Sequence, residues 1–257
     1  MSLRFEVKDH IATLTIDRQE ALNAMDAEVY RLLSESWITV RDDPEVWVAV
    51  ITGAGAKSFT VGADLKSRIP QQQQMFELWR TQTEQLLNRG LEVWKPVIAA
   101  VNGYCLGGGM TLLFATDIRV AAEHATFAMP EVKSGVIPGN GGTQRALHQL
   151  PYPIAMEMML LGERISAQDA LRFGLINKVV PATELMNTAM DYARRLCERP
   201  PLTVQAIKEL AIRSYGLHPS EGFRMEQLVS SALRQTEDRA EGLKAFAEKR
   251  KPQFKGR

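Results

Sequence analysis

The sequence predicts an α/β protein in which repeated ββα units form a spiral of sheets, followed by a layer of helices. In the first two thirds of the chain, short runs rich in β-branched residues alternate with segments of helical periodicity. From Ser166 onward the pattern is almost wholly helical, with breaks at Pro200-Pro201 and His218-Pro219. We therefore expect a spiral core at residues 1–195 and a helical region at residues 196–257.

The N-terminal part predicts a hairpin, a helix and a buried strand. Two alternating runs, Phe5–Val7 and Ile11–Ile16, are split by Asp9-His10, which favours a hairpin. A helix capped by Asp26 should follow, because apolar residues then recur at helical spacing. Those residues are Met25, Val29, Leu32, Leu33 and Trp37. The near-continuous apolar run at residues 46–52 is typical of a parallel strand that is buried on both faces.

The most informative stretch runs from Lys95 to Arg145. Val97–Val101 is too short for a helix and predicts a buried strand that stops at Asn102-Gly103. Gly107–Gly109 then stand directly before an apolar segment that predicts a helix. Glycines at a helix start let another molecule approach backbone N–H groups, which carry the positive end of the helix dipole. The stretch therefore predicts a site that holds an oxyanion.

Composition excludes several classes of function. The 31 Lys and Arg residues balance 30 Asp and Glu residues, so the net charge of +1 predicts no general attraction to nucleic acid or membrane. The two cysteines, Cys105 and Cys197, have no paired spacing, which argues against a disulfide framework or a zinc site. No apolar run is long enough to span a membrane, and the N-terminus has no signal-peptide pattern. We expect a cytoplasmic enzyme without a metal or prosthetic group.

Four motifs in order resemble the crotonase family, the enoyl-CoA hydratases and isomerases. They are Gly62-Ala63-Asp64, the glycine triplet, Pro130-Glu131 and the run from Gly139 to Arg145. The resemblance covers the chain from Ile11 to Arg257. It implies a crotonase-type spiral and an acyl-CoA thioester substrate, with coenzyme A present as part of the substrate. It also implies assembly as a trimer or a dimer of trimers through the C-terminal helical region.

The resemblance also assigns residues to the site. The backbone N–H groups of Ala63 and Gly108 would hold the thioester oxygen, and one such donor is worth about 3–4 kcal/mol of barrier. The acyl pocket would be covered by residues 70–94, which have a Gln-rich start and then a helical pattern that includes Met75, Leu78, Trp79, Leu86 and Leu87. The residues implied along coenzyme A are Ala63, Asp64, Leu65, Lys66, Gly108, Phe246 and Lys249.

Glu131 and Thr111 are the positions that bear on the reaction. Glu131 matches the family's catalytic glutamate, and a buried glutamate would have a raised pKa that suits proton transfer in both directions. Thr111 stands where family hydratases carry a second glutamate, and a hydroxyl is too weakly acidic to replace it as a base. The single carboxylate narrowly favours double-bond isomerisation. The alternatives are hydration or a related lyase or dehydratase step, thioester hydrolysis, and a catalytically inactive CoA-binding relative.

Overall fold

The computed structural model describes residues 2–64 and 86–257. Within these ranges the strands form two sheets, one of six strands and one of four. The strands are β1 (Leu3–Lys8), β2 (Ile11–Ile16), β3 (Val48–Gly53), β4 (Ser58–Thr60), β5 (Val97–Val101), β6 (Tyr104–Leu106), β7 (Ile118–Ala122), β8 (Thr126–Ala128), β9 (Ile165–Ser166) and β10 (Lys178–Val180).

From β3 to β8, successive strands alternate between the two sheets, which produces the spiral. The larger sheet has the order β1-β2-β3-β5-β7-β10 and the smaller has the order β4-β6-β8-β9. Within the larger sheet, β1 and β2 form the predicted antiparallel hairpin and the other neighbours pair in parallel. Each of the pairs β3/β4, β5/β6 and β7/β8 therefore adds one strand to each sheet. This arrangement confirms the predicted spiral of ββα units.

The helices follow the strand pairs and then form the C-terminal layer. They are α1 (Ala27–Asp42), α2 (Gly108–Leu113), α3 (Gly142–Gln149), α4 (Tyr152–Leu161), α5 (Ala167–Arg172), α6 (Leu185–Cys197), α7 (Pro201–Arg213), α8 (Pro219–Leu233) and α9 (Glu237–Ala247). Asp26 caps α1 as predicted, since its carboxylate accepts the N–H of Val29 at 3.0 Å. Prolines open α7 and α8 at the two predicted breaks.

The apolar core lies on both faces of the larger sheet. One cluster fills the space between the two sheets and α1, and it includes the fully buried Trp37, Phe59, Phe114 and Phe127. A second cluster packs α6 against the opposite face through Leu185, Ala189 and Ala193. By contrast, α7, α8 and α9 bury only Pro201, Asp238 and Ala245. The C-terminal helices therefore keep most of their apolar side chains at the surface.

Three sequence predictions differ from the structure. Met25 is not part of α1 but forms an isolated parallel bridge with Ala63. Leu86 and Leu87 lie at a turn rather than in a helix, and the remainder of the predicted helix at 70–85 lies outside the described residues. The short strands β4, β6, β9 and β10 were missed, and the last two interrupt the region predicted as helical. Strands of two or three residues are too short to show a periodicity of their own.

Candidate active site

The glycine triplet forms a turn at the start of a helix, and the N–H of Gly108 there has no acceptor among the described residues. Gly107 has φ 53° and ψ −118°, a conformation that side chains other than hydrogen rarely allow. Its N–H donates to the carbonyl of Ala128 at 3.0 Å, and its carbonyl accepts the N–H groups of Met110 and Thr111. Among the described residues, no carbonyl accepts the N–H of Gly108. That donor is therefore available at the start of α2.

The second turn, at Gly62-Ala63, also has a backbone N–H that no carbonyl of the described residues accepts. Met25 donates its N–H to the carbonyl of Gly62 at 2.8 Å, and Asp64 donates to the carbonyl of Met25 at 2.9 Å. This short ladder leaves the N–H of Ala63 without a carbonyl partner in the described part of the chain. A Cβ built on Gly108 would lie 3.4 Å from the nitrogen of Ala63. The two donors are thus side by side, as an oxyanion site requires.

Glycine at position 62 is what lets the two turns meet. Its φ is +89°, and an added Cβ would lie 2.5 Å from the nitrogen of Gly108 and 3.0 Å from the carbonyl oxygen of Leu106. At Gly109 an added Cβ would lie 2.5 Å from the carbonyl oxygen of Thr60, so this glycine also serves close packing. The geometry of the paired donors therefore depends on backbone-to-backbone contact that any side chain would break.

Arg18 forms two ion pairs next to the Ala63 turn. Nη1 of Arg18 lies 3.1 Å from Oδ2 of Asp64, and Nη2 lies 3.2 Å from Oδ2 of Asp26. Arg18 also donates to the carbonyl of Ala24 at 2.7 Å. Both Arg18 and Asp64 have side chains that are mostly buried, so the pair is less screened than a surface pair. Asp64 was predicted to lie along coenzyme A, and the structure gives its carboxylate this second, internal partner.

A buried arginine fixes the far end of α2. Burial lowers the pKa of Arg119 to about 10, yet its guanidinium has several neutral acceptors. It donates to the carbonyls of Phe114 at 3.3 Å and Thr116 at 2.9 Å, and to the side-chain oxygen of Gln149 at 2.6 Å. Those two backbone carbonyls lie just after the C-terminal end of α2. Arg119 therefore supplies hydrogen bonds to backbone groups that the short helix itself does not pair. This role was not predictable from the sequence, because an arginine on a short strand stands in no motif.

Glu131 lies next to the glycine turn. It is in a single 3₁₀ turn, Pro130–Ser134, directly after β8. A Cβ on Gly107 would be 3.5 Å from Oε1 of Glu131, and the buried Oε2 has no hydrogen-bond partner among the described residues. Burial raises the pKa of the Glu131 carboxyl above its ordinary value. A carboxyl that is partly desolvated and unpaired, beside two free N–H donors, is suited to moving a proton.

Thr111 has its hydroxyl engaged on both sides. The side chain is buried, its Oγ1 donates to the carbonyl of Gly108 at 3.0 Å, and it accepts Nδ2 of Asn88 at 3.0 Å. A Cβ on Gly142 would lie 2.9 Å from the Thr111 methyl carbon, so a glycine at position 142 allows α3 to pack closely against Thr111. Asn88 was not singled out from the sequence. A lone asparagine in a segment predicted to be helical carries no signal.

The structure does not show the other predicted site residues in contact with the candidate active site. Leu65 and Lys66 lie outside the described residues. Phe246 is 85% exposed at the end of α9, and Lys249 follows it with φ 54°. Within residues 2–64 and 86–257, no hydrogen bond or ion pair joins Phe246 or Lys249 to Ala63, Gly108 or Glu131. Their contact with coenzyme A stays a prediction.

Comparison with known proteins agrees with the site geometry. The family model for enoyl-CoA hydratase/isomerase matches residues 6–257. An (E)-benzylidenesuccinyl-CoA hydratase of Thauera aromatica is 41% identical, with 100% of both chains covered. A carnitinyl-CoA dehydratase of Salmonella arizonae is 40% identical, with 99% of this chain and 98% of the relative covered. The crystal structure of an enoyl-CoA hydratase from Bacillus anthracis has a TM-score of 0.92 at 32% identity, with 100% of both chains covered.

The chain therefore belongs to the enoyl-CoA hydratase/isomerase family, the crotonases, and is an enzyme of that family acting on CoA thioesters. Two further observations concern the described residues only. No cluster of His, Cys, Asp and Glu there could hold a metal ion. No helix in that part of the chain is long and apolar enough to cross a membrane.

Proposed function

We propose that the protein catalyses the reversible hydration of a 2-enoyl-CoA, with Glu131 as the single acid–base group. The observation that carries the proposal is the buried Oε2 of Glu131 beside the N–H groups of Ala63 and Gly108, all three without a hydrogen-bond partner in residues 2–64 and 86–257. Relatives with about the same length and 40–41% identity are named as a hydratase and a dehydratase, which favours water addition over other reactions of the family.

Besides the enoyl-CoA, the proposed step needs only water and one carboxylate. Water attacks C3 of the enoyl group and gives one proton to the Glu131 carboxylate, while the electron pair of the double bond moves to the thioester oxygen. The N–H groups of Ala63 and Gly108 stabilise the resulting enolate. The protonated Glu131 then transfers its proton to C2, which restores the carboxylate and the thioester carbonyl. Dehydration follows the same path in reverse.

Double-bond isomerisation is the second candidate, and Thr111 is the observation that favours it. Both sides of its hydroxyl are engaged, by Gly108 and Asn88, so it supplies no base for water. Isomerisation requires only that one carboxylate remove a proton from C4 and return it to C2, or the reverse. Among the sequence-based alternatives, the single glutamate narrowly favoured this reaction.

A product screen separates the candidates. Saturated, 2-enoyl and 3-enoyl thioesters of several chain lengths, including acyl groups with a carboxylate or an aromatic ring, are incubated with enzyme and separated by mass and retention time. Hydroxyacyl-CoA from 2-enoyl substrates supports hydration, and 2-enoyl-CoA from 3-enoyl substrates supports isomerisation. Release of free coenzyme A indicates thioester hydrolysis instead. Binding without turnover of any thioester would contradict both candidates and indicate an inactive relative.

We also propose that the C-terminal helices form the contacts of a trimer or a dimer of trimers. Apolar side chains exposed on α8 and α9 need cover, and they include Phe223, Leu228, Leu243 and Phe246. In such an assembly Phe246 and Lys249 could reach a neighbouring CoA site, while Ala63, Asp64, Leu65, Lys66 and Gly108 contact the cofactor moiety of the substrate. Light scattering at micromolar concentration should give the mass of three or six chains. A monomeric mass would contradict the proposal.

A further inference from the structure

The position of Asn88 is fixed through its backbone. Its peptide carbonyl accepts Nη1 of Arg145 at 3.1 Å, and the same nitrogen donates to the carbonyl of Asn140 at 2.8 Å. Burial lowers the pKa of Arg145, although its guanidinium remains the charged donor of both bonds. Arg145 therefore connects the turn that carries Asn88 to the loop before α3. Asn88 itself is only 7% exposed.

The orientation of the Asn88 amide follows from its partner. Nδ2 donates to Oγ1 of Thr111, whose own proton is donated to the carbonyl of Gly108. Because the hydroxyl of Thr111 can only accept from Asn88, the amide nitrogen must face Thr111 and Oδ1 must face elsewhere. None of the described residues donates a hydrogen bond to that oxygen. A side chain that is more than nine-tenths buried thus keeps an unused acceptor.

Asn88 lines a cavity next to the oxyanion donors. The cavity is bounded by Gly108, Thr111 and Asn88 on one side and by Tyr30 and Trp37 of α1 on the other. Its volume of about 10 Å³ is enough for one water molecule. Among the described residues that line it there is no carboxylate and no cation. The polar groups at its surface are therefore able to hold a neutral molecule such as water.

We propose that Asn88 is a positioning residue for the water that adds to C3. Oδ1 accepts one hydrogen of the water, which leaves the other hydrogen for Glu131 and the oxygen lone pair for the carbon. The amide is neutral and takes no proton, so the proton balance of the hydration step is unchanged. The resemblance puts the second glutamate of the family's hydratases at the position of Thr111, and Asn88, which is bonded to Thr111, orients water without ionising.

The inference rests on the proposed function, and its test separates the two. Two activities are measured for each variant: hydration of a 2-enoyl-CoA, and exchange of the C2 proton of a saturated acyl-CoA with solvent deuterium. Exchange needs Glu131 and the two N–H donors but no added water. If wild-type enzyme hydrates none of the enoyl substrates, both the proposed function and the inference are wrong.

Asn88→Leu should lower kcat for hydration about tenfold to a hundredfold, with little change in KM and little change in deuterium exchange. Asn88→Asp keeps an acceptor oxygen and should recover most of the lost hydration. Leu86→Val is the matched control, because it alters the wall of the same cavity without removing a polar group, and it should change both activities in parallel.

Two outcomes would overturn the role of Asn88 alone. One is full hydration activity in Asn88→Leu. The other is an equal loss of hydration and exchange in that variant, which would mean that Asn88 supports the oxyanion donors or the fold instead of the water.

Discussion

The two sides of the active site are built in different ways. The oxyanion side consists of backbone, and its N–H groups at Ala63 and Gly108 are brought together by contact between two turns. The proposed proton-transfer side consists of side chains, namely Glu131, Thr111 and Asn88, and acceptor oxygens of Glu131 and Asn88 have no partner among the described residues. The geometry of the backbone side is determined by steric contact, whereas the side chains of the other side keep acceptor oxygens without a partner among the described residues.

This difference indicates where the family can change its chemistry. A backbone turn stabilises an enolate whatever the acyl group is, and glycine contacts prevent most substitutions there. On the proton-transfer side, a threonine can occupy the position of a glutamate because Asn88 satisfies its hydroxyl. In the proposed mechanism the main chain therefore stabilises the enolate, and a few side chains determine which product forms from it.

The largest expected effect is on the proton-transfer side. Glu131→Gln should lower kcat for hydration and for deuterium exchange by about 10²–10⁴-fold, because the amide keeps the shape but carries no proton. Binding of a saturated acyl-CoA, measured by calorimetry, should change little. Glu163→Gln, at an exposed site, is the control and should be fully active.

Stability gives a second test of the same variant. The raised pKa of Glu131 means that the ionised carboxylate opposes folding, and this opposition grows as the pH rises from the unfolded pKa to the higher folded pKa. Glu131→Gln should therefore unfold at the same or a slightly higher temperature at neutral pH. Full catalytic activity of Glu131→Gln would show that a different group moves the proton.

The next largest effect is on the oxyanion side. Gly62→Ala places a Cβ against the nitrogen of Gly108 and should lower kcat about 10²–10³-fold, the loss typical of one oxyanion donor. Gly174→Ala is the matched control, since Gly174 has φ +78° but nothing within 4 Å of an added Cβ. Both variants should lose stability through backbone strain, but only Gly62→Ala should lose activity. Equal activity in the two variants would contradict the role of the turn contact.

The smallest effect concerns the support of that turn. Asp64→Asn removes the charge that faces Arg18 and should lower kcat about tenfold while KM changes less, because the N–H of Ala63 is then less well oriented. Asp42→Asn breaks an exposed pair with Arg41 and should have no measurable effect. If Asp64→Asn instead raises KM for CoA esters with kcat unchanged, the carboxylate acts mainly on the cofactor moiety.

The sequence predicted the main features of this structure, and particular residues show where it could not. The alternation of short strands and helices predicted the spiral, and Gly62, the glycine triplet and Glu131 were singled out because they stand in motifs. Arg18, Arg119 and Asn88 were not singled out, because each contacts a partner distant in the chain: Asp64, Gln149 and Thr111. Met25 was placed in a helix because its spacing fits one, but backbone pairing with Ala63 determines its conformation.

The most direct test of the central proposal, that one carboxylate performs both proton transfers, is the pH dependence of kcat/KM for hydration. Glu131 must be ionised to accept a proton from water, so activity should fall as the pH drops through its pKa, which burial raises above the ordinary glutamate value of about 4.3. The profile should have this one limb in the carboxylate range, and the limb should be absent from the residual activity of Glu131→Gln. A limb at the ordinary value, or one that persists in Glu131→Gln, would contradict the single-carboxylate mechanism.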